Sequence, residues 1–198
     1  MTGSERRQQL IEIAKSLFAE RGYDGTSIEE IAQRANVSKP VVYEHFGGKE
    51  GLYAVVVDRE MSALLDGITS SLTNNRSRVR VERVALALLT YVEERTDGFR
   101  ILIRDSPAEI TSGTYATLLN DAVDQVASIL AGDFSRRGLD PELAPLYAQA
   151  LVGSVSMTAQ WWLDVREPKK EVVAAHVVNL MWNGLTHLEA DPHLEADD

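Results

Sequence analysis

Apolar residues recur along the whole chain with the three- and four-residue spacing of amphipathic helices. The first helix is predicted over residues 4–22, and Gly22 ends it. Its apolar stripe consists of Leu10, Ile11, Ala14, Leu17 and Phe18. The alternating pattern of a half-buried strand forms no credible run anywhere in the chain. The pattern therefore predicts an all-α fold.

Two short helices are predicted after the first one. Ser27 and Glu30, three residues apart, form a capping-box pattern that predicts a helix start near Ser27. Ser38 is a good N-cap, and Pro40 is tolerated in the first turn of the helix that follows. Two helices of about two turns each are too short to be stable alone, so they must pack on the first helix. This arrangement is a helix-turn-helix in a three-helix domain.

The later helices divide the chain into a small and a large domain. A long helix begins at Lys49 and is broken near residues 74–77. Further helices are predicted at about 79–95, 98–104, 113–137, 141–165 and 168–188. We expect a helix-turn-helix domain over residues 1–48 and a larger helical domain over 49–188. The acidic residues 189–198 are expected to form a flexible tail.

Composition and charge restrict the class of protein further. Of 198 residues, 44% are hydrophobic and 25% are charged, as in ordinary soluble globular proteins. There is no apolar run long enough to span a membrane, no N-terminal signal pattern and no cysteine, so we expect a cytoplasmic protein without disulfides. The net charge is −10, but residues 1–50 carry only −1 of it. This balance argues against a protein that coats nucleic acid and allows a local DNA-binding face.

The third helix has one face suited to a DNA groove. Val42 and Phe46 lie four residues apart and are expected to point inward with Val37. The opposite face then presents Lys39, Pro40, Val41, Tyr43 and Glu44. One cation, one phenol and short apolar groups can read base edges in the major groove. On spacing alone, this could equally be the outer face of any helical bundle.

The residues of this segment resemble the N-terminal domain of the tetracycline-repressor (TetR) family of bacterial regulators. The resemblance covers about residues 5–55 and is carried by elements that occur in the same order and at the same separations. These elements are Thr26-Ser27-x-x-x-Ile31-Ala32, Val37-Ser38, Tyr43-x-His45-Phe46 and Lys49-Glu50-x-Leu52. The resemblance implies a homodimeric transcriptional repressor with a small DNA-binding domain and a larger helical domain that dimerises and binds an effector. Its expected DNA partner is a palindromic operator.

The resemblance also assigns candidate DNA contacts. It implies that side chains of the third helix, the recognition helix, contact bases. It also implies that residues at helix N-termini contact phosphates, because the free N–H groups there attract anions. The full candidate set is Thr26, Ser27, Ser38, Lys39, Pro40, Val41, Tyr43, His45 and Lys49. Asn36 stands where the family commonly has glycine, and asparagine also tolerates a left-handed backbone. Glu44 could accept a hydrogen bond from a cytosine amino group or could repel phosphate.

The larger domain is expected to bind a small, largely apolar effector that releases the operator. In the resembling family the effector cavity lies among these helices, and apolar walls with few polar groups suit a small molecule. The candidate ligand-binding residues are Tyr91, Phe99, Tyr115, Tyr147, Met157 and Trp161, although ordinary core packing explains any one of them. Arg100 and Arg104 are candidates for an anionic ligand or for coupling the domains, and pairing with Asp105 or Glu109 is the simpler explanation.

The last two long helices are apolar on more than one side, which predicts a homodimer closed by them. The positions concerned are Leu146, Ala150, Leu151, Val155, Trp162, Val173, Val177, Leu180, Met181 and Leu185. Catalytic motifs, phosphate loops and histidines at metal-ligand spacing are absent from the sequence, so no enzyme activity, cofactor or metal is expected. The alternative function is an effector-binding helical protein that does not bind an operator.

Overall fold

The structure, a computed structural model, describes residues 2–71, 77–104 and 114–188. All regular structure in these residues is helical, so the predicted all-α class is confirmed. A single 3-10 turn (Pro141–Leu143) precedes α8. The helices are α1 (Gly3–Arg21), α2 (Ile28–Arg34), α3 (Lys39–Phe46), α4 (Lys49–Ser71), α5 (Ser77–Glu94), α6 (Thr96–Ile103), α7 (Tyr115–Arg137), α8 (Ala144–Val165) and α9 (Lys170–Thr186).

Local capping signals set several of these boundaries. The Ser27 side chain accepts a hydrogen bond from the Glu30 amide at 3.2 Å, so α2 begins where the sequence predicts. Asp140 caps the turn before α8 in the same way, accepting from the Glu142 amide at 2.9 Å. Gly22, with φ +75°, follows the last residue of α1. The predicted tail lies outside the described residues.

Contacts between residues divide the chain into two compact units. Unit 1 contains the described residues up to 70 and those from 90 to 116, and unit 2 contains the remainder. Unit 1 thus contains α4 together with α1–α3, the end of α5, α6 and the first residues of α7. Helix α6 packs against α1 in this unit. The functional division at residue 48 stays a prediction.

Unit 1 has a core formed from the predicted helical stripes. The first stripe is buried as predicted, with Leu10, Ala14 and Leu17 fully inaccessible. Helix α1 packs on α2 and α2 on α3, and Ile31 of α2 and Val42 of α3 are also fully buried. Full burial of each large aliphatic side chain contributes about 1.5–3 kcal/mol. This burial holds together helices that are too short to be stable alone.

Unit 2 has its own core, built on α7, α8 and α9. Phe134 and Trp162 are its largest fully buried side chains. The Trp162 indole N–H donates to the Pro168 carbonyl at 2.7 Å, which satisfies the polar group of a buried tryptophan. None of the helices in the described part of the chain is long and apolar enough to cross a membrane.

Candidate nucleic-acid interface

The turn between α2 and α3 is ordered by backbone hydrogen bonds and one left-handed residue. The amides of Ala35 and Val37 donate to the carbonyls of Ile31 and Ala32 at 3.0 and 2.9 Å. Asn36 has φ +54°, the conformation expected for it from the sequence. Because Asn tolerates this conformation, the turn forms without the usual glycine, and α2 packs against α3.

Helix α3 presents the expected residues to the surface. Val42 points inward and is fully buried, whereas Lys39, Pro40 and Tyr43 are exposed. Val41 and His45 are half-buried, and Glu44 is exposed. Phe46, which was expected to point inward, is only half-buried, and the Arg7 guanidinium lies over its ring at 4.9 Å. The predicted recognition face therefore exists as one exposed surface of α3.

Ser38 lies at the start of this surface. Its backbone is extended and it occupies the N-cap position of α3, as predicted. Its side chain makes no capping hydrogen bond and is exposed. The hydroxyl is therefore available to a ligand at the helix N-terminus.

Lys39 forms an ion pair that the sequence did not predict. Its ammonium donates to the carboxylate of Glu29, which lies in the first turn of α2. Both side chains are about half exposed. The hydrogen bond from Lys39, a backbone hydrogen bond and the positive charge of Lys39 hold the pKa of Glu29 below its usual value. Residues ten positions apart on different helices show no pairing signal in the sequence.

Thr26 does not reach the surface. Its side chain is buried, and its hydroxyl donates to the carbonyls of Gly22 and Leu17 at 2.8 and 3.3 Å. The hydroxyl satisfies carbonyls at the C-terminal end of α1. The phosphate contact expected of this side chain is therefore not available in this conformation.

Lys49 is likewise engaged inside unit 1. Its ammonium donates to the carbonyls of Tyr23 and Thr26 at 2.9 and 3.1 Å and lies 4.1 Å from the centre of the Tyr23 ring. These contacts tie the start of α4 to the loop between α1 and α2. They use the ammonium group that was expected to bind phosphate.

Unit 1 also contains a buried ionic cluster, which is centred on Glu60 of α4. The Glu60 side chain is only 3% exposed. Arg95 donates to both carboxylate oxygens at 2.9 Å, and the Tyr91 hydroxyl donates to one of them at 2.9 Å. The Lys15 ammonium of α1 lies 3.6 Å away. The cluster thus joins α1, α4 and the end of α5.

The charges of this cluster are stabilised by their neighbours. Burial alone would raise the pKa of Glu60, but hydrogen bonds from Arg95 and Tyr91 and the charges of Arg95 and Lys15 outweigh it and lower the pKa. Burial and the adjacent carboxylate raise the pKa of Tyr91, which keeps its hydroxyl a donor. One signal could have revealed the site: Glu60 continues the four-residue spacing of Leu52, Val56 and Leu64, and so occupies a core position.

Arg104 connects α6 with α1. Its guanidinium donates to the Phe18 carbonyl at 3.2 Å. The coupling role proposed for Arg104 from the sequence thus has a partner in the last turn of the first helix. Asp105 and Glu109, the alternative partners, lie outside the described residues.

Two family models match the chain. One is described as "Bacterial regulatory proteins, tetR family" and matches residues 10–56. The other, "Tetracyclin repressor-like, C-terminal domain", matches residues 77–184. The chain belongs to the TetR family. It is thus a DNA-binding transcriptional regulator.

Individual TetR-family relatives agree with this assignment. The chain is 32% identical to the HTH-type transcriptional activator FasR of Mycolicibacterium smegmatis over 93% of this chain and 84% of the relative. It is 25% identical to the Staphylococcus aureus biofilm operon icaADBC negative transcriptional regulator IcaR, over 57% of this chain and 61% of the relative. A solved TetR-family regulator from Streptomyces coelicolor is 31% identical and has a TM-score of 0.63. The match covers 94% of this chain and 82% of that structure.

The aromatic residues expected to bind an effector in this TetR-family chain do not form one group. Tyr91, Phe99 and Tyr115 are buried together in unit 1, with ring centres 6.3 and 5.6 Å apart. Tyr147 of unit 2 instead contacts Phe134 at 5.2 Å. Met157 and Trp161 are 63% and 52% exposed in this chain. The three residues of α8 differ in exposure because their side chains point in different directions, which apolar spacing alone does not reveal.

Unit 2 contains a small apolar pocket at a different place. It has room for about one water-sized molecule. Its walls are Ala85, Leu89, Val155, Thr158, Val173, Ala174 and Val177. Val177, which the sequence analysis placed at the dimer interface, is half-buried and lines this pocket.

The outer faces of α8 and α9 carry large exposed apolar side chains. Leu146, Met157 and Trp161 follow one another along α8, and Leu180 of α9 is 75% exposed. Trp162, Val173 and Met181, which were also expected at the interface, are buried within unit 2. Both helices are therefore apolar on an inner and an outer side, as predicted.

Proposed function

We propose that the protein binds a palindromic operator as a homodimer, with α3 in the major groove. The observation that carries this proposal is the surface formed by exposed Lys39, Pro40 and Tyr43 with half-buried Val41, on a helix anchored by fully buried Val42. A rigid helix with a cation, a phenol and short apolar groups fits the donors, acceptors and methyl groups of the groove.

Phosphate contacts are proposed to flank this helix. Ser38 offers an exposed hydroxyl at the N-terminus of α3, and Ser27 is exposed before α2. The half-buried His45 ring is proposed to contact the DNA backbone. Lys49 acts in this proposal by holding the loop before α2 in place. An operator lies in the bacterial cytoplasm, so we place the action of the protein there.

Binding to a selected duplex tests the operator proposal. The duplex is obtained by repeated selection from a randomised pool, and fluorescence anisotropy measures its affinity. Lys39→Ala should cost about 1–3 kcal/mol on that duplex because a base contact is lost. Arg136→Ala, which removes an equally charged, exposed residue of unit 2, serves as the control. Failure of the wild-type protein to enrich any sequence would favour effector binding without an operator.

Dimerisation is proposed to occur through the outer faces of α8 and α9. Exposed Leu146, Met157, Trp161 and Leu180 would be covered in a two-fold contact, and two recognition helices about 34–36 Å apart would match a palindrome. Leu180→Asp changes both copies of one contact, so the dissociation constant should rise at least about 100-fold. Ile129→Asp, at a 60% exposed position of α7, is the matched control. Sedimentation showing dimeric Leu180→Asp would contradict this interface.

The effector is proposed to be a small, largely apolar molecule that binds in the region of residues 49–188 and weakens the operator complex. Support comes from the apolar walls of the pocket in unit 2 and from the buried Tyr91, Phe99 and Tyr115. An effector and DNA must lower each other's affinity by the same factor. Tryptophan fluorescence titrations with and without the selected duplex measure that factor. Reporter expression then separates repression from activation, for which IcaR and FasR are opposite precedents.

A further inference from the structure

The ion pair between Glu29 and Lys39 lies on the recognition surface and is not explained by the needs of folding. Both side chains remain about half exposed, and exposed pairs of this kind contribute little to stability. Glu29 lies in the first turn of α2, where a negative charge is favourable. Its carboxylate is thus a suitable partner for orienting the Lys39 ammonium.

The pair restricts a side chain that is otherwise mobile. Lysine has a flexible four-carbon stem and three N–H donors. Glu29 takes one donor, which leaves two directed at solvent on the exposed face of α3. An unrestrained lysine would follow the nearest phosphate, a contact that does not depend on sequence. A restrained lysine meets a base edge without losing further rotamer entropy.

We propose that Glu29 is a positioning residue for DNA recognition, which holds the Lys39 ammonium for a base edge and keeps it from neutralising a phosphate. The proposal rests on the proposed operator binding. Mere competition between Glu29 and DNA for Lys39 would weaken binding to every sequence, without favouring the operator. Positioning instead makes opposite predictions for the operator and for random DNA, so the two roles can be separated.

The test compares Glu29→Gln with the wild type on two probes, the selected duplex and a random-sequence duplex of equal length. Affinity for the selected duplex should fall about threefold to tenfold, because the lysine loses its orientation. Affinity for the random duplex should be unchanged or higher. For the random duplex, the slope of log affinity against log salt concentration should steepen by about one unit, since Lys39 then neutralises one more phosphate.

Two further variants make the test specific. Glu82→Gln removes the same charge from a similarly exposed pair with Arg78 on α5 and should change neither the affinity ratio nor the salt dependence. In a Lys39→Ala background, Glu29→Gln should leave the salt dependence unchanged, because the residue it positions is gone. Persistence of the steeper salt dependence in that background would overturn the proposal.

The remaining outcomes also decide the question. Equal strengthening of both complexes by Glu29→Gln would mean that Glu29 only repels DNA, and no change in either complex would mean that it has no role. Both results overturn the inference while leaving operator binding intact. If the wild-type protein binds the selected duplex no better than the random one, operator binding fails first, and the inference fails with it.

Discussion

Removal of the Glu60 charge should destabilise the protein strongly although the side-chain volume hardly changes. Glu60→Gln replaces a carboxylate that receives two hydrogen bonds from Arg95 and one from Tyr91, all at 2.9 Å. Hydrogen bonds to a charged group each contribute about 1.5–3 kcal/mol, and breaking a fully buried pair costs about 3–5 kcal/mol. Because the Arg95 side chain is 41% exposed and can regain water, we expect a loss of about 2–4 kcal/mol. The midpoint of thermal unfolding should fall by roughly 5–15 °C.

The pH dependence identifies the charge as the cause. The pKa of Glu60 is lower in the folded protein than in the unfolded chain, so its stabilising contribution is complete above the unfolded value of about 4.3. That contribution is lost as the pH falls through the lower, folded value. The difference in unfolding free energy between wild type and Glu60→Gln should therefore be constant near neutrality and shrink below about pH 4.

Urea unfolding followed by circular dichroism measures this difference at several pH values. Glu94→Gln changes an exposed carboxyl group next to Arg95 and should alter the free energy of unfolding by less than about 0.5 kcal/mol. A Glu60→Gln protein as stable as the wild type at pH 7 would refute the argument. So would a destabilisation that stays the same down to pH 3, because shape and not charge would then be responsible.

Two further predictions concern unit 1. Gly98→Ala should lower the free energy of unfolding by about 1–3 kcal/mol, because the new Cβ would clash with a carboxylate oxygen of Glu60. Its control is Gly67→Ala, which has open space around it and should stabilise the protein by up to about 1 kcal/mol. Thermal melting measures both variants. Lys49→Ala should cost about 1–2 kcal/mol by removing its contacts with Tyr23 and Thr26. An unchanged melting curve with a weaker salt dependence of DNA binding would instead restore Lys49 as a phosphate contact.

The helices and the buried faces of the first three of them could be predicted from the sequence alone. Apolar spacing within a helix, a Ser27 cap and a Gly22 stop act over a few residues, so they are legible without any tertiary information. The turn at Asn36 and the inward direction of Val42 follow from the same local rules. The order of these elements was also sufficient to indicate the family.

Which polar groups form pairs depends on how the helices pack in three dimensions. Glu60 lies 31 residues from Tyr91 and 35 from Arg95, and Lys49 lies 26 from Tyr23. Such partners are chosen by the packing of whole helices, to which no short-range pattern corresponds. The packing of whole helices also sets the directions of the Trp161 and Val177 side chains. Apolar spacing indicates that a helix is apolar on two sides, but it does not indicate which side packs within its own unit.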